Sequence, residues 1–193
     1  MTTILPNFAI DARVLQHPAA SILLPIALGT AVGYGTRPTQ TKDKYLSLKQ
    51  PPLRPPPWVF GPVWTLLYGI MGYAAYRATS TGLSPLASPE VTRATRLGMT
   101  LYTIQLGLNF AWMPLFFVAE RPVEATIDIL ALLGVNVYLT RVWGSVDKVA
   151  GLCQIPYLAW LSFATYLCAG AGHLNSWDLS DKETVRNDND KKK

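Results

Sequence analysis

The chain alternates between long apolar stretches and short polar connections. A hydrocarbon core about 30 Å thick is crossed by roughly 20 helical residues, and five stretches approach or exceed that length. Gly, Ala, Ser and Thr recur within them, as is common where membrane helices pack closely. The pattern therefore predicts an all-α integral membrane protein, built as a bundle of five transmembrane helices. The predicted spans are residues 14–36, 55–76, 97–119, 125–140 (interrupted by Asp128) and 149–177.

These stretches define a membrane domain over residues 19–177, preceded by an N-terminal segment, residues 1–18. The N-terminal segment lacks the cleavage pattern of a signal peptide, so we expect the first helix to act as its own insertion signal. The last residues, 178–193, read DLSDKETVRNDNDKKK. They are too polar to bury a core, and a disordered, charged tail on the cytosolic side is predicted.

Composition supports a membrane protein, since 50% of the residues are hydrophobic, 15% are charged and the mean hydropathy is +0.20. With five spans, six Lys and Arg residues fall on the side of the N-terminus and eleven on the other side. Basic residues favour the cytosolic side of short connections, so the C-terminus is predicted to be cytosolic. This asymmetry and the attraction of basic segments to lipid headgroups account for the net charge of +5 without nucleic-acid binding.

No catalytic or metal-binding pattern stands out in the sequence. Cys153 and Cys168 fall in one predicted helix, about 22 Å apart along its axis, which is too far for a disulfide. Neither HExxH nor CxxC spacing occurs. We therefore predict no metal site, no catalytic residues and no required cofactor.

The second predicted helix follows the proline-rich stretch PPLRPPPWVFGPVW, in which residues 55–57 stiffen the end of a long loop, residues 37–57. From Phe60, aromatic residues recur every fourth position and so share one helix face. Similar stripes occur in the third and fifth helices. The three stripes are Phe60, Trp64 and Tyr68; Asn109, Trp112 and Phe116; and Trp160, Ala164 and Leu167.

Two interpretations of these stripes stay open at this point. The first is ordinary helix packing combined with a belt of aromatic residues at the membrane interface. The second is a flat, largely apolar pocket in which Asn109 and the indole N–H groups supply a few polar contacts. Under either interpretation, Trp143 at the end of the fourth helix is expected to be an interfacial anchor. Asp128 is expected to interact with the dipole near the start of the same helix.

Three stretches resemble the translocator protein family, also called tryptophan-rich sensory proteins or TspO/MBR proteins. They read SLKQPPLRPPPWVFGPVWTLLYGIMGYAAY, LYTIQLGLNFAWMPLFF and YLAWLSFATYL, and the resemblance covers about residues 20 to 175. It implies a five-helix bundle with a pocket for porphyrins, heme or sterols, capped by the loop between the first two helices. By matched position and by the stripes, the expected ligand-binding residues are Trp58, Phe60, Gly61, Val63, Trp64, Tyr68, Asn109, Trp112, Phe116, Trp160, Ala164 and Leu167. Trp64 and Trp160 are expected on opposite walls of this pocket.

The sequence departs from the family pattern in three places. Leu53 replaces a tryptophan that usually precedes the second helix, so one aromatic residue of the cap is missing. No Lys or Arg follows Tyr166 before Lys182, so the cholesterol-recognition pattern of animal members is absent. The glycine pair that some members use for dimer contact is replaced by Thr100 and Ile104. Small residues at Gly29/Gly33 and Ala94/Gly98 still leave a homodimer open.

Two functions from different classes are compatible with the sequence. A receptor or translocator would bind a tetrapyrrole or a sterol-like lipid and serve transport, sensing or a stress response. The alternative is a light- and oxygen-dependent porphyrin-degrading enzyme, as suggested for bacterial relatives. The resemblance implies the mitochondrial outer membrane, with the endoplasmic reticulum or another secretory membrane as the alternative.

Overall fold

The computed structural model describes residues 8–36 and 38–179, and this part of the chain is helical without β-strands. Its helices are α1 (Ala12–Gln16), α2 (Pro18–Gly35), α3 (Pro38–Ser47), α4 (Phe60–Gly82), α5 (Pro89–Met113), α6 (Pro122–Val146) and α7 (Lys148–Leu174). A 3₁₀ turn, Pro57–Val59, precedes α4, and a π-helical turn, Pro114–Val118, continues α5. The predicted all-α class is confirmed.

Within the described residues, four helical segments are long and apolar enough to cross a membrane: α2, α5 with its π-helical turn, α6 and α7. The helix α4 has 23 residues but is not among them. Its tryptophan, tyrosines, glycines and Arg77 lower the mean hydropathy, although Tyr68, Gly72 and Gly82 among them are buried in the bundle. The chain is therefore a multi-pass helical membrane protein, and the predicted count of five spans stays a prediction.

The helices begin where proline and capping residues favour a first turn. Proline occupies the first turn of α2, α5 and α6, where its missing N–H leaves no hydrogen bond unmade. A single residue, Asp147, separates α6 from α7, and its carboxylate accepts a hydrogen bond of 2.9 Å from the Ala150 amide. This short connection makes α6 and α7 antiparallel neighbours.

The bundle places α6 between α5 and α7, while α4 packs against α7, α5 and α2. The short helix α1 lies against α4, and Leu15 on it is fully buried. Thr103 on α5 accepts a 2.9 Å hydrogen bond from the Ile10 amide through its hydroxyl. The N-terminal segment from residue 8 onwards therefore packs on the bundle.

Trp143 is fully buried, so its predicted role as an interfacial anchor is wrong. Its ring lies 5.2 Å from that of Tyr102, and the indole covers Gly98 so closely that a methyl group there would overlap it. Gly29 on α2 accommodates the Tyr68 ring in the same way. One glycine of each small-residue pair therefore serves packing within the chain, and the predicted homodimer gains no support from these positions.

The segment between α2 and α4 was predicted as a loop, but it contains α3 before the prolines. The Tyr45 hydroxyl donates a hydrogen bond of 2.8 Å to the Pro55 carbonyl, which ties α3 to the proline run. Asn175, just beyond α7, donates 2.8 Å to the Lys49 carbonyl and accepts 3.2 Å from its amide. These contacts hold the segment across one end of the bundle, which we call the α3 end.

The predicted tail begins close to a buried residue. Leu179 is only 2% exposed and belongs to the buried apolar core of the described part of the chain. Residues 180–193, which hold most of the predicted disordered tail, lie outside the described residues.

At the opposite end of the bundle, the Arg77 guanidinium lies 2.6 Å from the Asp147 carboxylate, and the Thr81 hydroxyl donates to the same oxygen at 3.2 Å. Burial alone would raise the pKa of Asp147, but the Ala150 amide and Arg77 hold it below its ordinary value. This ion pair therefore joins the end of α4 to the α6–α7 connection.

Asp147→Asn should lower the free energy of unfolding by on the order of 1–2 kcal/mol, since water screens the partly exposed Arg77. A carboxyl group whose pKa is lowered by folding stabilises the fold at pH values above its pKa in the unfolded protein, which is near 4. This stabilisation is lost as the pH falls through its pKa in the folded protein. Thermal unfolding of both proteins from pH 7 to pH 3 should therefore show a difference that shrinks below about pH 4. Glu124→Gln, which breaks the exposed Arg121–Glu124 pair, is the matched control and should change little. A constant difference across this pH range would contradict the assignment.

Candidate ligand pocket

A cavity of about 500 Å³ lies at the α3 end of the bundle. Its walls come from α2, α4, α5, α6 and α7, and residues 41–50 cover it. The lining is predominantly apolar and aromatic. Both the volume and the lining are typical of sites for small hydrophobic ligands.

Most of the predicted site residues meet in this cavity. Those that line it are Phe60, Gly61, Trp64, Tyr68, Asn109, Trp112, Phe116, Trp160, Ala164 and Leu167. Trp58 lies outside the lining and is 75% exposed, because the 3₁₀ turn directs it away from the bundle. Val63 is also outside, since it lies one position from Trp64 and so points about 100° away around α4.

The lining also includes residues that the sequence did not indicate. Helix α2 contributes a wall without an aromatic stripe, and α6 contributes two aliphatic residues. The additional lining residues from α2, the α3 segment and α6 are Gly29, Thr30, Val32, Gly33, Thr41, Lys42, Tyr45, Gln50, Ile129 and Leu132. The spacing of Gly29 and Gly33 was the only signal for the α2 wall, and it also fits helix packing.

The aromatic residues of α4 and α7 touch each other on one side of the cavity. Trp64 and Trp160 meet edge to face, with ring centroids 6.4 Å apart at 87°, and Phe60 contacts Trp160 at 6.0 Å. The expectation that Trp64 and Trp160 lie on opposite walls is therefore wrong. A second aromatic group belongs to α5 and its π-helical turn, where Trp112 and Phe116 stack at 5.2 Å. Edge-to-face and stacked pairs hold the rings in fixed orientations.

The floor of the cavity is a hydrogen-bonded chain of three side chains. The Tyr68 hydroxyl donates to Asn109 Oδ1 at 2.6 Å, and Asn109 Nδ2 donates to the Tyr157 hydroxyl at 2.7 Å. This chain connects α4, α5 and α7. It also orients the Asn109 amide, which lines the cavity among aromatic rings. The floor therefore presents polar atoms in a fixed position below an apolar cavity.

The cover is held to the rim by an ion pair. Lys44 on α3 lies 2.7 Å from Glu120, which follows the π-helical turn, and the Lys44 side chain is only 10% exposed. Glu120 adopts a left-handed backbone conformation, with φ of 54°, which is uncommon for a residue other than glycine. Burial raises the pKa of the Tyr45 hydroxyl, so this group stays protonated as the donor to Pro55.

Asp128 lies further from the start of its helix than the sequence predicted. Helix α6 begins at Pro122, so Glu124 is the acidic residue of the first turn and Asp128 lies one turn further in. The helix dipole acts mainly on the first turn. Asp128 Oδ2 is buried without a hydrogen-bond partner among the described residues. The described residues also contain no group of His, Cys, Asp or Glu side chains that could hold a metal ion.

These features define a multi-pass α-helical membrane protein with an aromatic cavity covered at one end. The TspO/MBR family model matches residues 21–174 of the sequence. The chain therefore belongs to the TspO/MBR family, and the resemblance found in the sequence is confirmed.

Curated relatives from three groups of organisms agree with this membership. The chain is 38% identical to the translocator protein homolog of Schizosaccharomyces pombe, over 88% of this chain and 98% of the relative. It is 37% identical to human translocator protein, over 78% and 85% of the two chains. It is 38% identical to the tryptophan-rich protein TspO of Archaeoglobus fulgidus, over 77% and 90%.

Asn109→Leu should destabilise the protein more than Tyr68→Phe. The first change deprives two buried tyrosine hydroxyls of their partner, whereas the second leaves one amide oxygen unpaired. Each unpaired buried group costs about 1–3 kcal/mol, which thermal unfolding in detergent would resolve. Thr65→Val is the control, because its hydroxyl bonds only to the Gly61 carbonyl of its own helix. Equal losses in Asn109→Leu and Thr65→Val would contradict the role of the floor.

Proposed function

We propose that this protein is a receptor or translocator that binds a flat apolar ligand, a tetrapyrrole or a sterol-like lipid, in the cavity. The observation that carries the proposal is the covered aromatic cavity of about 500 Å³ with a single polar chain at its floor. Transport, sensing or a response to stress would follow from loading and unloading this site.

The fixed rings suit a ligand that is planar. Each aromatic contact with a flat ring contributes roughly 0.5–1.5 kcal/mol beyond the burial of area. The edge-to-face pair of Trp64 and Trp160 presents ring surfaces in two orientations, and Ala164 beside Trp160 leaves space for a ligand. The floor can offer a hydrogen bond to a carbonyl, carboxyl or hydroxyl group at one edge of that ligand.

Trp64→Ala and Trp160→Ala should each weaken protoporphyrin binding by about tenfold, equivalent to about 1.4 kcal/mol. Ala164→Phe should block binding while it preserves every tryptophan, because the added ring fills the cavity. Quenching of intrinsic fluorescence by added protoporphyrin measures the affinity of each purified variant. Trp58→Ala is the matched control, since Trp58 lies outside the lining, and it should bind like the unchanged protein.

A loss of affinity in Trp58→Ala as large as in Trp64→Ala, with all variants folded, would place the ligand elsewhere. The same titration in light and in the dark separates the binder from the porphyrin-degrading enzyme. Saturable quenching with an unchanged porphyrin spectrum supports the binder. A protein-dependent product that forms only in the light would support the enzyme.

We also propose that α4 crosses the membrane, which completes the five-helix bundle. Its first residue, Phe60, contacts Trp160 at the α3 end of the bundle. Arg77, near its last turn, pairs with Asp147 at the opposite end. Its 23 residues span about 35 Å, enough for the hydrocarbon core. Packing against α2 and α7 supplies partners for its less apolar residues.

Membrane-impermeant maleimide should label Leu53→Cys and Leu86→Cys from opposite sides of sealed vesicles. Both positions are exposed, at 83% and 97%, and they flank α4. The background carries Cys153→Ala and Cys168→Ala, so that only the introduced thiol reacts. Labelling of both positions from one side would show that α4 does not span.

Five spans place the α3 end and the C-terminus on the same side, which the distribution of basic residues assigns to the cytosol. Leu53→Cys in oriented cells should then react only after the plasma membrane is permeabilised. Localisation to the mitochondrial outer membrane and formation of a homodimer stay predictions from the resemblance. Imaging of a tagged chain against organelle markers distinguishes the mitochondrion from the secretory alternatives.

A further inference from the structure

At and beneath the level of the pocket floor lies a group of polar side chains that ligand binding does not use. Gln105 on α5, Asn136 on α6 and Gln154 on α7 are each fully buried, and we call them the amide layer. None of the three lines the cavity. All three face the interior of the bundle, since each belongs to a stripe of buried residues on its helix.

The floor fixes the height of this layer. Helices α5 and α7 run in the same direction, because each is joined to α6 by a short connection. The hydrogen bond between Asn109 and Tyr157 sets these two helices at the same level. Gln105 precedes Asn109 by four residues and Gln154 precedes Tyr157 by three. Both glutamines therefore lie about one helical turn below the floor.

Asn136 belongs to the same buried group but lies higher, near the level of the floor. Its Nδ2 donates a hydrogen bond of 2.9 Å to the carbonyl of Leu132, a residue of the cavity lining. Thr126 meets Cys168 and Gly144 meets Gly151 across the antiparallel helices α6 and α7, which sets Asn136 about one turn above Gln154. Asn136 thus borders the layer on its cavity side, and the contact between Trp143 and Tyr102 borders it on the other side.

Seven polar atoms of this region have no hydrogen-bond partner among residues 8–36 and 38–179. They are both amide atoms of Gln105, both amide atoms of Gln154, Asn136 Oδ1, the Tyr102 hydroxyl oxygen and Trp143 Nε1. An unpaired amide or hydroxyl in an apolar interior costs several kcal/mol, and hydrocarbon around the bundle offers no partner. Buried polar groups in native proteins are paired with protein or with ordered water.

The composition of the layer favours water as that partner. Glutamine side chains present donors and acceptors together, and water can bond to both kinds at once. The facing helix α4 presents Met71 and Ala75 at this depth, both fully buried and neither with a polar side chain to offer. We propose that the amide layer and Tyr102 form a second, polar binding site, which holds ordered water in the membrane interior below the pocket.

Such water would also be available to the floor of the pocket. Asn109 Nδ2 has two N–H groups, so it can donate one to a ligand while the other stays on the Tyr157 hydroxyl. A water molecule in the layer below can then accept a hydrogen bond from the Tyr157 hydroxyl itself. The proposal itself does not depend on the identity of the ligand or on ligand binding.

Hydroxyl-radical footprinting by X-ray radiolysis tests the site in the full-length protein in detergent, because radicals form from water held beside a side chain. Tyr102 is the reporter, since it is fully buried and lies outside the cavity lining. Tyr34, which is 82% exposed, reports the radical dose. We expect oxidation of Tyr102 in the unchanged protein. An unlabelled Tyr102 at a dose that labels Tyr34 would overturn the proposal.

The double variant Gln105→Leu/Gln154→Leu should abolish labelling of Tyr102, because the amides that hold the water are gone. Leu106→Met is the matched control, since it changes the neighbouring buried residue without adding or removing a polar group. Labelling that persists in the double variant would show that the amides do not hold the water, and would also overturn the proposal. If the double variant does not fold, the single variant Gln105→Met and the unchanged protein still give the decisive comparison.

Thermal unfolding distinguishes bound water from direct pairing between the amides. If the two glutamines hydrogen-bond directly to each other, replacing one of them leaves the other amide buried without a partner. The double variant should then be more stable than either single variant. With water as the partner, each single variant leaves the other amide hydrated, so the double variant should be no more stable than either single variant. A double variant more stable than both single variants would contradict the water site.

Discussion

The amide of Asn109 is the interaction on which the architecture of the pocket depends. It accepts from Tyr68 and donates to Tyr157, so one side chain sets the relative height of α4, α5 and α7. Apolar side chains alone would let these helices slide, because lipid is as apolar as the helix surfaces and burial gives little preference for one register. A directional hydrogen bond in the apolar interior favours one register over the others. The cavity lies above this hydrogen bond, and the helices pack on one another below it.

Glycine serves at two points as a recess for an aromatic ring. Below the floor, Gly98 on α5 receives the Trp143 indole, and beside the floor Gly29 on α2 receives the Tyr68 ring of α4. Above the floor, the rings of α4 and α7 pack on one another and leave a space that α3 covers. The same residue types therefore build closely packed helices at one end of the bundle and a covered cavity at the other.

Much of this could be predicted from the sequence because it depends on local periodicity. Spans follow from the length of the apolar stretches, and shared faces follow from the spacing of Phe60, Trp64 and Tyr68. Helix α3 escaped prediction because its residues are polar and follow a weak pattern, and its contacts with Pro55 and α7 are distant in sequence. Helix α4 shows that hydropathy alone can also miss a helix of the bundle. Its mean hydropathy is low, because the residues that pack inside a bundle are not always hydrophobic.

The sequence by itself determined the helical membrane class, the family and the faces that carry aromatic residues, because each depends on residue spacing along one helix. Only the tertiary structure decided which faces meet. Trp64 and Trp160 became neighbours, Trp143 became buried over Gly98, and Trp58 was left outside. The rotation and height of one helix against another are set by contacts between residues far apart in the chain, such as Asn109 with Tyr157. No pattern within a single helix contains that information.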